Sequence, residues 1–356
     1  MCIQSFRFLY HTIESRPFQI DYYDKRGLDI MSTPDLIAQP DSRRTRIIAV
    51  TQALFVTVLW SSSFIIIKFG LEEIPPLTYA GLRYSIGSTI LLCLILAQPK
   101  MRESIRKRSR KWWLMLTVYG IMYIAVAQGT QFLGLFYLPA ITLSLLLNLT
   151  PVLVLIFAIP WLGERPTRVE TFLVLVGIFG VLLYFFPLDF IGVSIIGLII
   201  GLLSLLSNAF SSLIGRAVNR TKDTPALVVT GIMMSVGSVF LMIAALLTEP
   251  IIPFSMTSWF YIFWLAVVNT ALAFTLWSHS QRVLRAIDMT LINSTMMPQI
   301  VILSIFFLGE FPEFLDWVGL ILLAISVSVV QILQTKKMND SKNSTTDSTK
   351  YHAEKG

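Results

Sequence analysis

The sequence predicts an all-α membrane protein with ten transmembrane helices arranged as two inverted five-helix repeats. Of its 356 residues, 55% are hydrophobic and only 14% are charged, whereas soluble domains carry roughly a quarter charged residues. The chain contains many apolar runs of about 20 residues, the length that an α-helix needs to cross a bilayer. A polar, proline-containing pattern interrupts one such run at Pro151 and another at Pro298.

Ten spans follow from these runs, and short linkers that often contain proline or glycine separate them. The predicted spans are 47–67, 77–98, 112–134, 140–160, 169–187, 191–213, 225–247, 258–280, 289–308 and 313–333. Lipid cannot satisfy exposed backbone groups, so these runs should form a tight helical bundle. The first repeat covers residues 46–187 and the second covers residues 188–334.

The two ends of the chain are polar. Residues 1–45 form an N-terminal tail, in which Met31 is a second plausible start. Residues 1–30 are therefore either native or an upstream extension that does not belong to the working protein. Residues 335–356 lack a sustained apolar pattern and are expected to be a disordered tail.

The basic residues predict the orientation. With ten spans they gather at the ends that share a side with both termini, and the opposite ends hold only Lys68. Since Lys and Arg favour cytoplasmic loops, both termini should be cytoplasmic in a multi-pass protein of the plasma or inner membrane. The net charge of +7 then serves topology and anionic lipid, and a nucleic-acid partner is not expected.

The repeats should be inverted because five is an odd number of spans. Leu162-Gly163-Glu164 ends the fourth span and is followed by arginine, whereas Leu308-Gly309-Glu310 ends the ninth and is followed by no basic residue. Glu164 and Glu310 are each expected to cap the helix that follows.

Several motifs, in this order and spacing, give the chain a family resemblance. They are Trp60-Ser61-Ser62-Ser63-Phe64, Ala80-Gly81-Leu82-Arg83-Tyr84, Asn148-Leu149-Thr150-Pro151, Asn293 to Pro298, and the two Leu-Gly-Glu segments. Together they resemble the EamA-type branch of the drug/metabolite transporter superfamily over residues 46–333. This resemblance implies a ten-span alternating-access carrier that exports amino acids, other metabolites or drugs. The sixth span departs from the pattern, because Ser207-Asn208-Ala209 stands where an aromatic residue is common.

Neutral hydrogen-bonding groups inside the spans are the substrate-binding candidates, together with one aromatic residue. They are Trp60, Ser63, Gln128, Gln131, Asn148, Asn208, Asn293 and Gln299. A buried amide in lipid must find a partner in another helix or face a water-lined cavity. Each residue therefore has two interpretations, a substrate contact or a hydrogen bond between helices.

Pro151 and Pro298 are predicted helix breaks. Each removes a backbone donor, which frees the carbonyl of Leu147 or Ser294. A ligand can use such a carbonyl, but a kink tolerated for packing explains the same pattern.

Arg83 and Lys68 are the basic residues nearest the predicted outer ends of the first two spans. A charge there is costly unless it is paired, so Arg83 either forms an ion pair with Glu72 or Glu73 or binds a substrate carboxylate. Lys68 has the same alternatives, with an interfacial position favoured.

The composition excludes several classes of function. The acidic residues lie in tails, loops or span ends, and Cys2 and Cys93 are the only cysteines. No catalytic group, metal site or cofactor is therefore expected, and His279 is the single candidate proton relay, with an interfacial position as its alternative.

The sequence thus predicts an exporter of small metabolites such as amino acids or neutral and zwitterionic compounds. A flippase for a lipid-linked substrate and a drug efflux carrier are the alternatives. The partners are a small-molecule substrate and membrane lipid, and the protein is a monomer or homodimer.

Overall fold

A computed structural model describes residues 42–106, 108–162, 167–184, 194–219, 224–284, 289, 292–293, 295–330 and 332–333. Within these ranges the regular elements are helices, and there are no strands. The first part contains α1 (Ser42–Gly70), α2 (Pro76–Leu96), α3 (Pro99–Arg106), α4 (Arg110–Gly120), π1 (Ile121–Gln128), α5 (Gly129–Tyr137), α6 (Ala140–Leu147), α7 (Thr150–Leu162) and α8 (Arg168–Tyr184). The second part contains α9 (Ile195–Asn219), α10 (Ala226–Thr248), α11 (Met256–Ala266), π2 (Val267–Leu272), α12 (Ala273–Val283), α13 (Met296–Leu308) and α14 (Phe314–Val330).

Among the described residues, six helices are long and apolar enough to cross a membrane: Thr45–Gly70, Pro76–Leu96, Arg110–Tyr137, Ile195–Gly215, Ala226–Thr248 and Met256–Trp277. Four shorter apolar helices occupy the other predicted ranges: Ala140–Val154, Thr171–Tyr184, Met296–Leu308 and Phe314–Val330. Large apolar side chains such as Phe172, Ile195 and Phe306 are mostly exposed on the outside of the bundle. Such an apolar exterior is expected of a protein whose solvent is lipid.

Helices α2 and α10 form the centre of the bundle and run antiparallel. Gly81 of α2 lies against Met242, and Gly231 of α10 lies against Ile95. Between these contacts, the hydroxyls of Ser88 and Ser238 are 3.4 Å apart. Small residues permit this approach, as is usual in membrane bundles.

The outer helices pack around this pair in two similar groups. Helix α1 contacts α12 and α13, whereas α9 contacts π1, α5 and α7. Helices α8 and α14 meet at Gly180 and Gly319, and Ser326 of α14 donates to the carbonyl of Leu173 at 2.7 Å.

Within the described ranges, several interruptions divide the apolar helices. Segments π1 and π2 interrupt the helices Arg110–Tyr137 and Met256–Val283. The predicted break in the fourth span is present, because Asn148 and Leu149 form a turn between α6 and α7. Asn148 has φ −68° and ψ −12°, and Thr295, which precedes α13, has φ −71° and ψ −12°. Local π segments are frequent at functional sites.

Three glutamates tie the helices together at one end of the bundle. Glu249 accepts hydrogen bonds from the backbone N–H groups of Leu77 and Thr78 at 2.8 and 2.7 Å, at the start of α2. Glu310 accepts from those of Ala140 and Ile141 at 2.8 and 2.9 Å. Helix N-termini favour a carboxylate in this way.

Glu73 makes the third such contact. It accepts from the backbone N–H and the hydroxyl of Ser255, both at 2.6 Å, and from the Ser258 hydroxyl, at the start of α11. The expectation for Glu310 is corrected in one respect, since it caps α6 and not the helix that follows it. Glu164 lies outside the described residues.

Candidate functional site

A chain of polar contacts crosses the middle of the bundle from α1 to π1. We call its members the polar belt, and they are Ser63 of α1, Asn269 and Thr270 of π2, Arg83 and Tyr84 of α2, and Gln128 of π1. Both π segments and the central helix α2 thus contribute to one connected set of side chains.

Asn269 joins π2 to α1. Its Nδ2 donates to Ser63 Oγ at 3.0 Å, to Ser62 Oγ at 3.2 Å and to the carbonyl of Leu59. The side chain is fully buried, and its Oδ1 has no partner among the described residues. Ser63 therefore serves as a contact between helices, and Asn269 keeps an unused acceptor.

Arg83 is 4% exposed and lies beside two aromatic rings. Its Nε donates to Thr270 Oγ1 at 3.0 Å, and its guanidinium carbon is 5.1 Å from the centroid of Tyr84 and 5.9 Å from that of Phe132. Cation–π attraction favours this arrangement.

The ion pair expected for Arg83 is not found within the described ranges. Glu73, one of the two expected partners, is engaged by Ser255 and Ser258. Glu73 thus binds the N-terminus of α11 and does not pair with Arg83, although the two residues are close in sequence.

Gln128 and Gln131 lie near this group. The hydroxyl of Tyr84 donates to Gln128 Oε1 at 2.7 Å, which leaves the Nε2 of Gln128 without a partner in the described part of the chain. Gln131 is half-buried, and its amide likewise has no recorded hydrogen bond to a described residue.

Gln299 belongs to a separate cluster between α1 and α13. Its Oε1 accepts from Ser61 at 3.0 Å, and its Nε2 donates to Thr57 at 3.2 Å and to Thr295 at 3.0 Å. Both amide hydrogens are used, so the interhelical interpretation describes this residue better than a free substrate contact does.

The three predicted asparagines differ in their surroundings. Asn148 Nδ2 donates to the carbonyl of Ser144, and Asn208 Nδ2 to that of Ser204, both at 2.9 Å within their own helices. Both side chains are half-buried, whereas Asn293 is exposed.

The carbonyl that Pro151 was expected to free for a ligand is already occupied. Leu147, whose carbonyl Pro151 frees, accepts a hydrogen bond from the Thr150 hydroxyl at 2.6 Å, so this carbonyl already has a local donor. Pro298 is exposed, and Ser294 lies outside the described residues.

Trp60 and the polar groups near the span ends lie outside the polar belt. Trp60 packs against Phe274 and Trp277 with centroid distances of 5.3 and 5.0 Å. Lys68 is half-buried and close enough to Glu310 for electrostatic attraction. His279 is exposed, with its Nδ1 3.0 Å from Gln52 Oε1, which fits the interfacial interpretation.

Sequence reasoning did not select Tyr84, Asn269 or Thr270 as site residues. The available signal was the polar pair Asn269-Thr270 in the middle of an apolar run, together with the tyrosine beside Arg83. Their importance comes from the contact between π2 and α2, which one sequence does not show.

These features define a class of protein, a polytopic helical membrane protein with a polar centre. A family model for the EamA-like transporter family matches residues 47–186 and again residues 195–332. The chain therefore belongs to the EamA-like transporter family, which is a family of transporters and not of enzymes.

Relatives and a solved structure agree with this assignment. The uncharacterized transporter YvbV of Bacillus subtilis is 31% identical over 58% of this chain and 64% of its own length. A probable amino-acid metabolite efflux pump of Escherichia coli is 25% identical over 63% of this chain and 75% of its own length. The pseudopaline exporter CntI of Pseudomonas aeruginosa is 26% identical over 62% of this chain and 74% of its own length.

A crystal structure with 19% identity matches at a TM-score of 0.58 over 81% of this chain and 98% of its own. It shows a shared fold. Of the relatives, YvbV is matched over less than two thirds of its own length.

Proposed function

We propose that the protein is an alternating-access exporter of small metabolites such as amino acids or other neutral and zwitterionic compounds. In this proposal its ten helices form two inverted repeats, residues 46–187 and 188–334, in a cell membrane with both termini cytoplasmic. The observation that carries the proposal is the occurrence of two matched pairs of interrupted helices. Interrupted helices at corresponding places in two halves surround the transport site of many carriers.

The first matched pair consists of the breaks before α7 and α13. Asn148 and Thr295 have nearly the same backbone angles, and a proline follows each of them three residues later. The same local conformation, at the same distance from a proline, supports an evolutionary repeat.

The second matched pair consists of π1 and π2. Segment π1 packs on α10, and π2 packs on α2, so each contacts the central helix of the other proposed repeat. Helices α1 and α9 also correspond to each other. Each of them packs on the interrupted helices of the other half. The polar belt then lies where the two halves meet, the usual position of a transport site.

Charge at the two ends of the bundle supports the proposed orientation. The end tied by Glu73, Glu249 and Glu310 is acidic, with Lys68 nearby. Helix α2 leads from there to the opposite end, where α3 and the start of α4 expose Lys100, Arg102, Arg106, Arg110 and Lys111. The basic end is therefore assigned to the cytoplasm.

The relatives support the direction of transport. One is named as a probable efflux pump for amino-acid metabolites and another as an exporter. The neutral amides and hydroxyls of the polar belt suit small solutes better than multiply charged anions, which require several bases.

Efflux from cells that overproduce the protein tests the proposal. Cells are loaded with a mixed pool of labelled amino acids, and the loss of each solute is followed with wild-type protein, with Gln128→Ala and with Thr89→Ala. Thr89 is exposed on α2 and bonds only within its helix, so it is the matched control.

We expect faster loss of a few neutral or zwitterionic solutes, which Gln128→Ala slows and Thr89→Ala does not. If no solute leaves faster although the wild-type protein is in the membrane, the exporter proposal is wrong, and flipping of a lipid-linked substrate becomes the leading function.

A further inference from the structure

Arg83 is a buried cation for which the described residues supply no anion. It is 4% exposed, and its hydrogen bond within the described chain goes to a neutral hydroxyl, that of Thr270. A charge inside a membrane protein is costly and usually marks a site of function or a paired partner. Two aromatic rings reduce this cost without removing it.

The guanidinium has one edge left for a ligand. Its Nε is used by Thr270, and neither Nη nitrogen has a partner among the described residues. Neither nitrogen is fully enclosed, so each retains a small exposed surface although the whole residue is only 4% exposed. The edge formed by two such N–H groups matches the geometry of a carboxylate.

One neighbouring side chain offers a second polar contact. Gln128, which Tyr84 holds through its Oε1, offers a free amide donor. The acceptor oxygen of Asn269, next to the Thr270 that fixes Arg83, is fully enclosed and is therefore not a contact for the solute. A solute that carries a carboxylate would match the cation, and a hydrogen-bond acceptor on the same solute would match the amide of Gln128.

We propose that Arg83 binds the carboxylate of the transported solute, with Thr270 as its positioning residue, so that the substrates are carboxylate-bearing compounds, amino acids among them. This inference rests on the proposed transport function and specifies which solutes it concerns. It also assigns a ligand to Arg83 in place of the ion pair that the sequence had indicated.

Matched pairs of solutes test the inference. Cells that overproduce the protein are loaded with leucine and leucinamide, or with phenylalanine and phenylalaninamide, where each amide lacks the carboxylate but keeps the side chain and amine. The variants are Arg83→Gln, Arg83→Lys and Thr270→Val. Arg102→Gln, an exposed arginine on α3, is the control for loss of a positive charge.

For the wild type we expect faster loss of the amino acids and not of their amides. Arg83→Gln should slow amino-acid efflux by about tenfold or more, the effect of losing a charge-assisted hydrogen bond. Arg83→Lys should retain part of it, and Thr270→Val should raise the concentration needed for half-maximal efflux while changing the maximal rate less. Arg102→Gln should behave as wild type.

The outcomes separate the two proposals. Equal loss of amino acids and amides, or an Arg83→Gln variant that exports amino acids normally, would overturn the role of Arg83 and leave the exporter proposal intact. No accelerated loss of any solute with wild-type protein would overturn both. Should Arg83→Gln fail to reach the membrane, Arg83→Lys and Thr270→Val still decide, since both retain the positive charge.

Discussion

Gly120 and Gly237 bring two helix backbones into direct contact. A Cβ atom on Gly120 would collide with the carbonyl oxygen of Met233, and one on Gly237 with the carbonyl oxygen of Gly120 and with Ile124. Both obstacles include backbone, which cannot move aside as a flexible side chain can. A hydrogen atom in place of a side chain is therefore required where α4 crosses α10.

Gly120→Ala should accordingly destabilise the folded protein by about 1–3 kcal/mol, the usual cost of overpacking. Thermal unfolding of the purified protein in detergent measures the effect. Gly177→Ala is the matched control, because a Cβ there would make ordinary contacts at 3.4 Å with Leu323 and Ser326. Equal unfolding temperatures for both variants would show that the contact at Gly120 is not tight.

Individual site residues were only partly predictable from the sequence. Residue type pointed to Arg83 and Gln128 as polar groups inside the spans, but it could not identify Thr270 and Tyr84 as their partners. Gln299 shows the limit of residue type, since a mid-span glutamine looks the same in a sequence whether its amide is free or bound by Ser61 and Thr57. Partners on distant helices decide between these cases, and only the folded bundle brings them together.

At the scale of helices, the contact between Glu73 and α11 depends on pH. Hydrogen bonds from the side chains of Ser255 and Ser258, and from the Ser255 backbone, lower the pKa of Glu73 below its ordinary value. A lowered pKa means that the folded state favours the carboxylate. The stabilisation is complete above the ordinary glutamate pKa and is lost as the pH falls through the lowered one.

Glu73→Gln should therefore reduce the acid sensitivity of the protein. Unfolding temperatures of wild type and variant, measured between about pH 3 and pH 7, should differ at neutral pH and converge in acid. Glu72→Gln serves as control, because Glu72 is an exposed neighbour and makes no such cap. A difference that persists unchanged at low pH would contradict the assigned cause.

The sequence predicted most helices within a few residues, because apolar runs in lipid leave few alternatives. It also located the break at Asn148, since Pro151 cannot donate a backbone hydrogen bond. It did not predict the π segments, because the apolar pattern around Val126 or Ala271 contains no proline. In the folded protein π1 packs on α10 and π2 on α2.

For the whole molecule, the orientation gives a direct prediction. In a variant without Cys2 and Cys93, a cysteine at Thr257 near the acidic end should react with an impermeant maleimide on intact cells. A cysteine at Ser109, an exposed residue between basic positions, should react only after the membrane is permeabilised. Labelling of Ser109→Cys from outside would invert the proposed topology.

The three glutamate caps also affect how readily solutes leak through the protein when no solute is bound. Glu73 comes from the first half and holds a helix of the second, whereas Glu249 and Glu310 come from the second half and hold helices of the first. Separating the halves at this end would break all of these charged hydrogen bonds together, at a cost that an empty carrier has little to offset. A bound solute can supply compensating contacts, so the caps would keep the resting protein from passing solutes back down their gradients.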